Sequence, residues 1–416
     1  MQLNIIEPYY KCLDTSTSTI MITVYAGSIY ENAKTAGISH LLEHLTFNDS
    51  DFDTSYKILG GINAYTSNDQ IVYVISLPDK YLKEGIELLF KITLRNKIVY
   101  KTLVKERKVV LEEHFNQYQQ RANQLYEDLT SKVFDGHPLG NMVSPKNNVI
   151  GTVSLKTIAE YKHEYFNINN MHLTICSYIS QDKIRKIVEK IQRRYLHKIG
   201  KNKDDAISPF LLTKSIYTSK PHIVLRNLNG DIQSNVIIAF SSEVTKNVLL
   251  PNFLAYILAN SASSIMFKRL RTEKRLIYSV KCLYESYRYG DLFMISCTVK
   301  QDNIWKLLRE IFKILRSPIR ISNKRFEIAK KNYLHIYKLT LQQNQIYTAF
   351  IAKYGIKPDQ YIDELSKLTK EDFIQMKSKY MQFDGRMGIG ISGIKFVENA
   401  NIITEHVNRL LSYGKK

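Results

Sequence analysis

Two pairs of segments in this sequence share one offset, and that offset constrains the fold more than any single motif does. Ser234-Asn235-Val236-Ile237-Ile238-Ala239-Phe240 lies about 215 positions after the neighbourhood of Ile20–Ala26 and has the same apolar alternation. Ser366–Ile394 answers Ser154–Ile179, with Tyr380 again 215 residues after Tyr165. Between them, Ile304–Phe312 answers the helical pattern that holds Ile86 and Phe90. Any two domains of similar size would align loosely, but a common offset at both ends argues for a tandem duplication.

Within the first half the order is strand, helix, paired strands, long helices and a closing strand. The alternation of Thr19–Ala26 predicts the first strand. Gly60-Gly61 marks a turn into the second, and Gln70–Leu77 reads as the third. Pro78-Asp79 starts a helix whose apolar face includes Leu82, Ile86, Leu89 and Phe90. A helix-like stretch runs from about Thr102 to Val133 and ends at His137-Pro138-Leu139-Gly140, followed by a helix over Leu155–Phe166 and a strand over Met171–Ser177. The expected fold is α+β: two similar domains, each a mainly antiparallel sheet with helices packed on one face. A chain of 416 residues exceeds one ordinary core. The segment rich in Lys, Asn, Asp, Ser and Pro places a linker at 204–215, between domains at 1–203 and 216–416.

Chemistry is concentrated in Ala36-Gly37-Ile38-Ser39-His40-Leu41-Leu42-Glu43-His44-Leu45. On a helix, His40 and His44 share one face, one turn apart, which is the spacing at which two imidazoles reach one metal ion. Glu43 lies on nearly the same face, close enough to act on a water beside the metal without ligating it. The pattern H-x-x-E-H is the inverted zincin motif. A histidine among leucines is more often a packed core residue, so a third ligand elsewhere must decide the matter; catalytic zinc takes three protein ligands and keeps one position open.

Composition narrows the alternatives. Hydrophobic content of 44% and charged content of 24% suit an ordinary globular protein. No apolar run reaches the ~18 residues of a membrane span, and the N-terminus shows no signal or transit pattern, so the expectation is a cytoplasmic protein with no membrane association. Cys12, Cys176, Cys282 and Cys297 are scattered and read as reduced thiols. The net charge of +20 is the outlier. Its lysines are dispersed, Ile, Asn and Tyr are abundant, and no nucleic-acid motif is present; AT-rich codon usage accounts for this better than specific nucleic-acid binding.

These residues resemble the inverzincin zinc metallopeptidases, the group of pitrilysin, insulysin and the mitochondrial processing peptidase. That family places a glutamate ligand about 70 residues downstream of the helix motif, in a pattern like E-R-x-V-V-L-x-E. Glu106-Arg107-Lys108-Val109-Val110-Leu111-Glu112-Glu113 fits, with Glu113 standing 69 residues after His44. Helix periodicity alone cannot choose between Glu112 and Glu113; the resemblance selects Glu113. It also implies that Glu106, two turns earlier on the same helix face, supports a ligand histidine, although an ion pair with Arg107 or a lysine is an equal alternative. Gly60–Thr66 is similar to the family's G-G-x-x-N-A-x-T edge strand, so Asn63 and Ala64 are expected beside a bound peptide. Leu270-Arg271-Thr272-Glu273-Lys274-Arg275-Leu276-Ile277-Tyr278 resembles the segment whose Arg and Tyr bind substrate, which implies that role for Arg271 and Tyr278. The departures are Ile277 where the family has glycine, Ile71 for a threonine, and Asn260–Ser264 for a glycine-rich stretch.

The resemblance implies a zinc metalloendopeptidase acting on peptides or unfolded polypeptide, with one Zn2+ per chain held by His40, His44 and Glu113. Glu43 would activate a zinc-bound water. A chain of two such domains carrying both the zinc motif and the Arg/Tyr segment implies a homodimer, each site completed by the partner. The strong positive charge leans the reading toward peptide degradation rather than cationic presequences. The rival expectation is a non-catalytic subunit or peptide-binding clamp.

Overall fold

The computed structural model describes residues 16–47, 61–94, 98–119, 121–145, 149–198, 200, 221–227, 233–394 and 400–412. Expectations at Cys12, Gly60 and the 204–215 linker lie outside these residues. In the first half the elements are β1 (Thr17–Val24), α1 (Ile38–Phe47), β2 (Gly61–Thr66), β3 (Ile71–Pro78), α2 (Leu82–Leu94), α3 (Tyr100–Gln119), α4 (Arg121–Val133), α5 (Leu155–Tyr165), β4 (Met171–Cys176) and α6 (Gln181–Gln192). The second half brings β5 (His222–Asn227), β6 (Gln233–Ser242), α7 (Leu249–Leu258), β7 (Ile277–Tyr287), β8 (Gly290–Lys300), α8 (Ile304–Arg316) and α9 (Asn323–Thr340). It ends with α10 (Asn344–Tyr354), α11 (Pro358–Lys367), α12 (Lys370–Tyr380), β9 (Met387–Ile394) and α13 (Ala400–Ser412).

Two compact units emerge. The first comprises Met1–Asn116, Asn141–Ile207 and Ile336–Gln360; the second comprises Gln117–Gly140, Ser208–His335 and Tyr361–Lys416. Each unit has a sheet, in the order β2-β3-β1-β4 and β5-β9-β6-β8-β7. The strands correspond in order: β6 to β1, the β7–β8 hairpin to β2–β3, and β9 to β4. All pairings are antiparallel except β5 with β9. The fold is therefore α+β and mainly antiparallel, as expected.

In the first unit β1 is central, paired on both edges, and seven of its eight residues are buried. Helix α2 buries the apolar face predicted for it, with Leu82, Ile86, Leu89 and Phe90 each at most 1% exposed. Met21, Val72 and Val74 pack with Ala352 of α10, which belongs to this unit although it is encoded in the second half.

The helical stretch expected from about 102 to 133 is helical on both sides of residue 120, over α3 and α4, which are assigned mainly to different units. Leu103, Glu106 and Val110 of α3 are buried, as are Leu125, Leu129 and Val133 of α4. Helix α4 lies against β9 in the second unit. The approach is so close that a Cβ on Gly388 would sit 2.6 Å from Leu129 Cδ1, and one on Gly390 2.9 Å from Leu125 Cδ1. The alternating glycines of β9 thus clear one face of the strand for the helix. Among the described residues, Cys176, Cys282 and Cys297 are buried cysteines outside any disulfide.

Candidate metal centre

Helix α1 is amphipathic in an unusual way. Ile38, Leu41, Leu42 and Leu45 are buried on one side, and its other side carries His40, Glu43 and His44. Its start is set from outside the helix. Gly37, at φ +85°, turns the chain into the helix with a conformation that disfavours any side chain. Its N–H donates to Glu31 Oε2 at 2.6 Å, and Ser39 N–H donates to Glu31 Oε1 at 2.8 Å. The Glu31 carboxyl therefore satisfies N–H groups that a helix N-terminus leaves open. Burial pushes its pKa up to about 7 against the lowering effect of those hydrogen bonds. Farther along, Thr46 Oγ1 meets the Tyr73 hydroxyl at 2.6 Å, tying the helix to β3.

Helix α3 faces α1 with Glu106 and Glu113, one two turns beyond the other. Glu113 Oε2 stands 3.3 Å from His44 Nε2 and 3.6 Å from His40 Nε2. One ligand atom from each of His40, His44 and Glu113 lies within 4.8 Å of the others. Ligands about 2.0–2.1 Å from a tetrahedral zinc stand roughly 3.3–3.4 Å apart, so the two N···O distances fit one zinc ion among these residues. The donor set of two imidazoles and one carboxylate is that of a catalytic zinc site. Burial, then the neighbouring His44 and His114, holds the His40 pKa down at about 3, keeping its ring neutral as a ligand must be. Both histidine side chains are 12% exposed and Glu113 is 42% exposed, so the cluster opens to solvent on the glutamate's side.

The remaining carboxylates differ in surroundings. Glu106, 1% exposed, places Oε2 3.3 Å from His44 Nδ1, and Lys105 Nζ lies 3.5 Å from its other oxygen. Both readings of Glu106 therefore describe contacts that exist. Glu43 is buried beside His44 and accepts a 2.8 Å hydrogen bond from Thr66 Oγ1. Burial raises its pKa, Thr66 and His44 oppose the rise, and Glu113 adds to it.

Thr66 ends β2, the edge strand of the first sheet. Asn63 and Ala64 lie on this strand opposite Val74 and Tyr73. Asn63 is exposed, and its Oδ1 accepts from Ala64 N–H at 3.0 Å. Arg271 and Tyr278 belong to the second unit. Arg271, exposed, sits in a π-helical turn over Phe267–Glu273 with its guanidinium 5.6 Å from the Phe267 ring centre. Tyr278, 40% exposed, falls where the β7–β8 register slips between Ile277 and Ser279. A bulge of this kind re-aims a side chain.

Sequence reasoning assigned no role to Glu31, Thr66 or His114. Thr66 stands in the edge-strand pattern, but nothing in the sequence says that it reaches Glu43. His114 Nε2 lies 3.2 Å from His40 Nδ1. No periodicity argument pairs residues so far apart in the chain.

The chain is similar to known proteins along most of its length. Residues 11–145 match the family model for insulinase, peptidase family M16, and residues 152–333 match that for the M16 inactive domain. An uncharacterized zinc protease of Rickettsia felis is 23% identical over 378 residues, covering 86% of this chain and 89% of that one. The beta subunit of the mitochondrial-processing peptidase of Caenorhabditis elegans is 28% identical over 182 residues, 42% of this chain and 40% of that one. A solved protease from Helicobacter pylori shares the fold with a TM-score of 0.78 at 19% identity, covering 91% of this chain and 95% of that one. With a zinc-type ligand set on an H-x-x-E-H helix and both domain models matched in order, the chain belongs to the M16 peptidase family in its two-domain form.

Proposed function

We propose that this protein is a zinc metalloendopeptidase that hydrolyses peptides or unfolded polypeptide segments. The observation that carries the reading is the convergence of His40, His44 and Glu113 with Glu43 beside them. His40, His44 and Glu113 would hold the zinc. Bound there, zinc supplies Lewis acidity, polarising a peptide carbonyl and lowering the pKa of an attacking water.

Glu43 would take the proton of that water and pass it to the leaving amine. Burial favours its protonated form, and the Thr66 hydroxyl steadies the ionised form, so the group is suited to hold and release one proton. The exposed edge of β2 supports an extended substrate added as a further strand through main-chain hydrogen bonds around Asn63 and Ala64. Such recognition favours flexible segments and a peptide-degrading role. Arg271 and Tyr278, both exposed, would donate hydrogen bonds to substrate carbonyls, supplied in a homodimer by the partner copy. The second half contains no H-x-x-E-H, so each chain would offer one zinc site.

The test is a digest of a mixed peptide library by wild type and Glu43→Gln, with and without chelator, alongside metal analysis. Wild type should bind one zinc and cleave, chelator should abolish cleavage, and Glu43→Gln should keep zinc while losing about 10²–10⁴ in rate. Wild type that binds zinc but cleaves nothing would instead favour a peptide-binding clamp. Mixing Glu43→Gln with Arg271→Ala should restore part of the activity if the partner completes the site; no recovery despite subunit exchange would reject that arrangement.

A further inference from the structure

The two histidines of α1 each turn one nitrogen to Glu113 and the other to a separate residue of α3. For His44 that residue is Glu106. For His40 it is His114, whose Nε2 lies 3.2 Å from His40 Nδ1. The two ring planes are inclined by only 17°, and their centres stand 5.4 Å apart. The centres are farther apart than the nitrogens by about one ring width, so the imidazoles meet end to end, nearly coplanar. A face-to-face stack would bring the centres much closer. End-to-end contact is the arrangement of a linear N–H···N hydrogen bond.

We propose that His114 is a positioning residue for the metal centre: it accepts the Nδ1–H of His40 and so presents His40 Nε2 toward Glu113 as the ligand atom. This rests on the reading of His40, His44 and Glu113 as a zinc site. A ligand imidazole can coordinate through only one nitrogen, and the hydrogen bond at the other decides which. His114 follows Glu113 directly, so one short stretch of α3 offers a ligand and a partner for another ligand. It is not itself part of the ligand cluster, because its near nitrogen is engaged by His40 Nδ1, on the side away from Glu113.

The pairing makes the two histidine ligands unequal. His44 faces a carboxylate, which draws its Nδ1–H strongly and makes its Nε2 more electron-rich. His40 faces a neutral ring, which orients it with less polarisation. Removing the acceptor at His114 should free His40 to rotate or change tautomer, with Glu113 and His44 still in place.

The experiment compares full-length wild type, His114→Gln and His114→Phe. Zinc affinity is measured by competition with a chromophoric chelator, the d–d spectrum is recorded on the cobalt-substituted protein, and near-ultraviolet circular dichroism of the metal-free protein checks folding. Gln retains an acceptor oxygen; Phe retains a ring without one. The expectation is zinc binding about 10–100-fold weaker in His114→Phe, with an altered cobalt spectrum, and values within a few-fold of wild type in His114→Gln. Equal affinity and an unchanged spectrum in His114→Phe overturn the assignment. If Phe perturbs the metal-free fold, Gln decides: a loss in a folded Gln variant equal to that of Phe points to packing and overturns it as well. Wild type that binds no zinc rejects the metal site itself, a separate result from an intact site indifferent to His114.

Discussion

Thr66 Oγ1 donates a 2.8 Å hydrogen bond to Glu43 Oε2, linking the last residue of an exposed edge strand to the carboxylate beside the metal cluster. Burial raises the proton affinity of the proposed base, and the strand proposed to receive substrate lowers it through this bond. A donor favours the ionised form, so its loss raises the pKa of Glu43 further. In Thr66→Val, the acid limb of the kcat/KM profile should move to higher pH, with zinc content unchanged. A limb that stays in place would separate Thr66 from the chemistry.

Glu106 is the buried counterpart on the other side. Its Oε2 lies 3.3 Å from His44 Nδ1, and its side chain is almost wholly removed from water. Glu106→Gln should weaken zinc binding roughly 10–100-fold while leaving one site per chain. Affinity equal to wild type would leave Glu106 with its Lys105 pairing alone.

Glu31 makes the start of α1 sensitive to pH. Its folded pKa, about 7, is raised by burial above the ordinary value of 4.5. The contribution to stability is therefore complete below about pH 4.5 and is lost as pH rises through about 7, up to about 3 kcal/mol in all. Glu31→Gln cannot ionise, so urea titrations between pH 4.5 and 8 should show a smaller decline for the variant. Parallel pH profiles would exclude Glu31 as the source.

The face of β9 cleared for α4 predicts a steric cost. Gly390→Ala places a methyl 2.9 Å from Leu125 Cδ1 and should destabilise the protein by about 1–3 kcal/mol. Leu125→Ala is itself costly, but combined with Gly390→Ala the loss should be smaller than the sum of the two single losses, seen as a non-additive double-mutant cycle in denaturant unfolding. Additive losses would show that the two side chains do not meet.

Much of this architecture was legible locally. Thr19–Ala26 and Gln70–Leu77 read as the strands β1 and β3, and the Leu82, Ile86, Leu89, Phe90 stripe identified α2, because burial on one face of a helix imposes a period that the sequence must carry. The shared offset of Tyr165 and Tyr380 exposed the duplication, and two correspondingly ordered sheets follow it. The assignment of α3 and α4 mainly to different units was not legible. Residues 116–124 carry no glycine or proline to mark a boundary, and Leu103 and Val110 are buried in one unit while Leu125 and Leu129 are buried in the other.

For the site, the chain alone determined that His40, Glu43 and His44 share a helix face, since that follows from the 3.6-residue turn. A resemblance, not periodicity, selected Glu113 over Glu112. Only the tertiary structure decided which distant atoms meet: Glu31 at the N–H groups of Gly37 and Ser39, Thr66 at Glu43, Glu106 at His44 Nδ1 and His114 at His40 Nδ1. Each of these contacts is made by one or two hydrogen bonds between side chains or backbone groups on different segments. Such a bond leaves no periodic trace in either partner, so it appears only when packing brings the segments together.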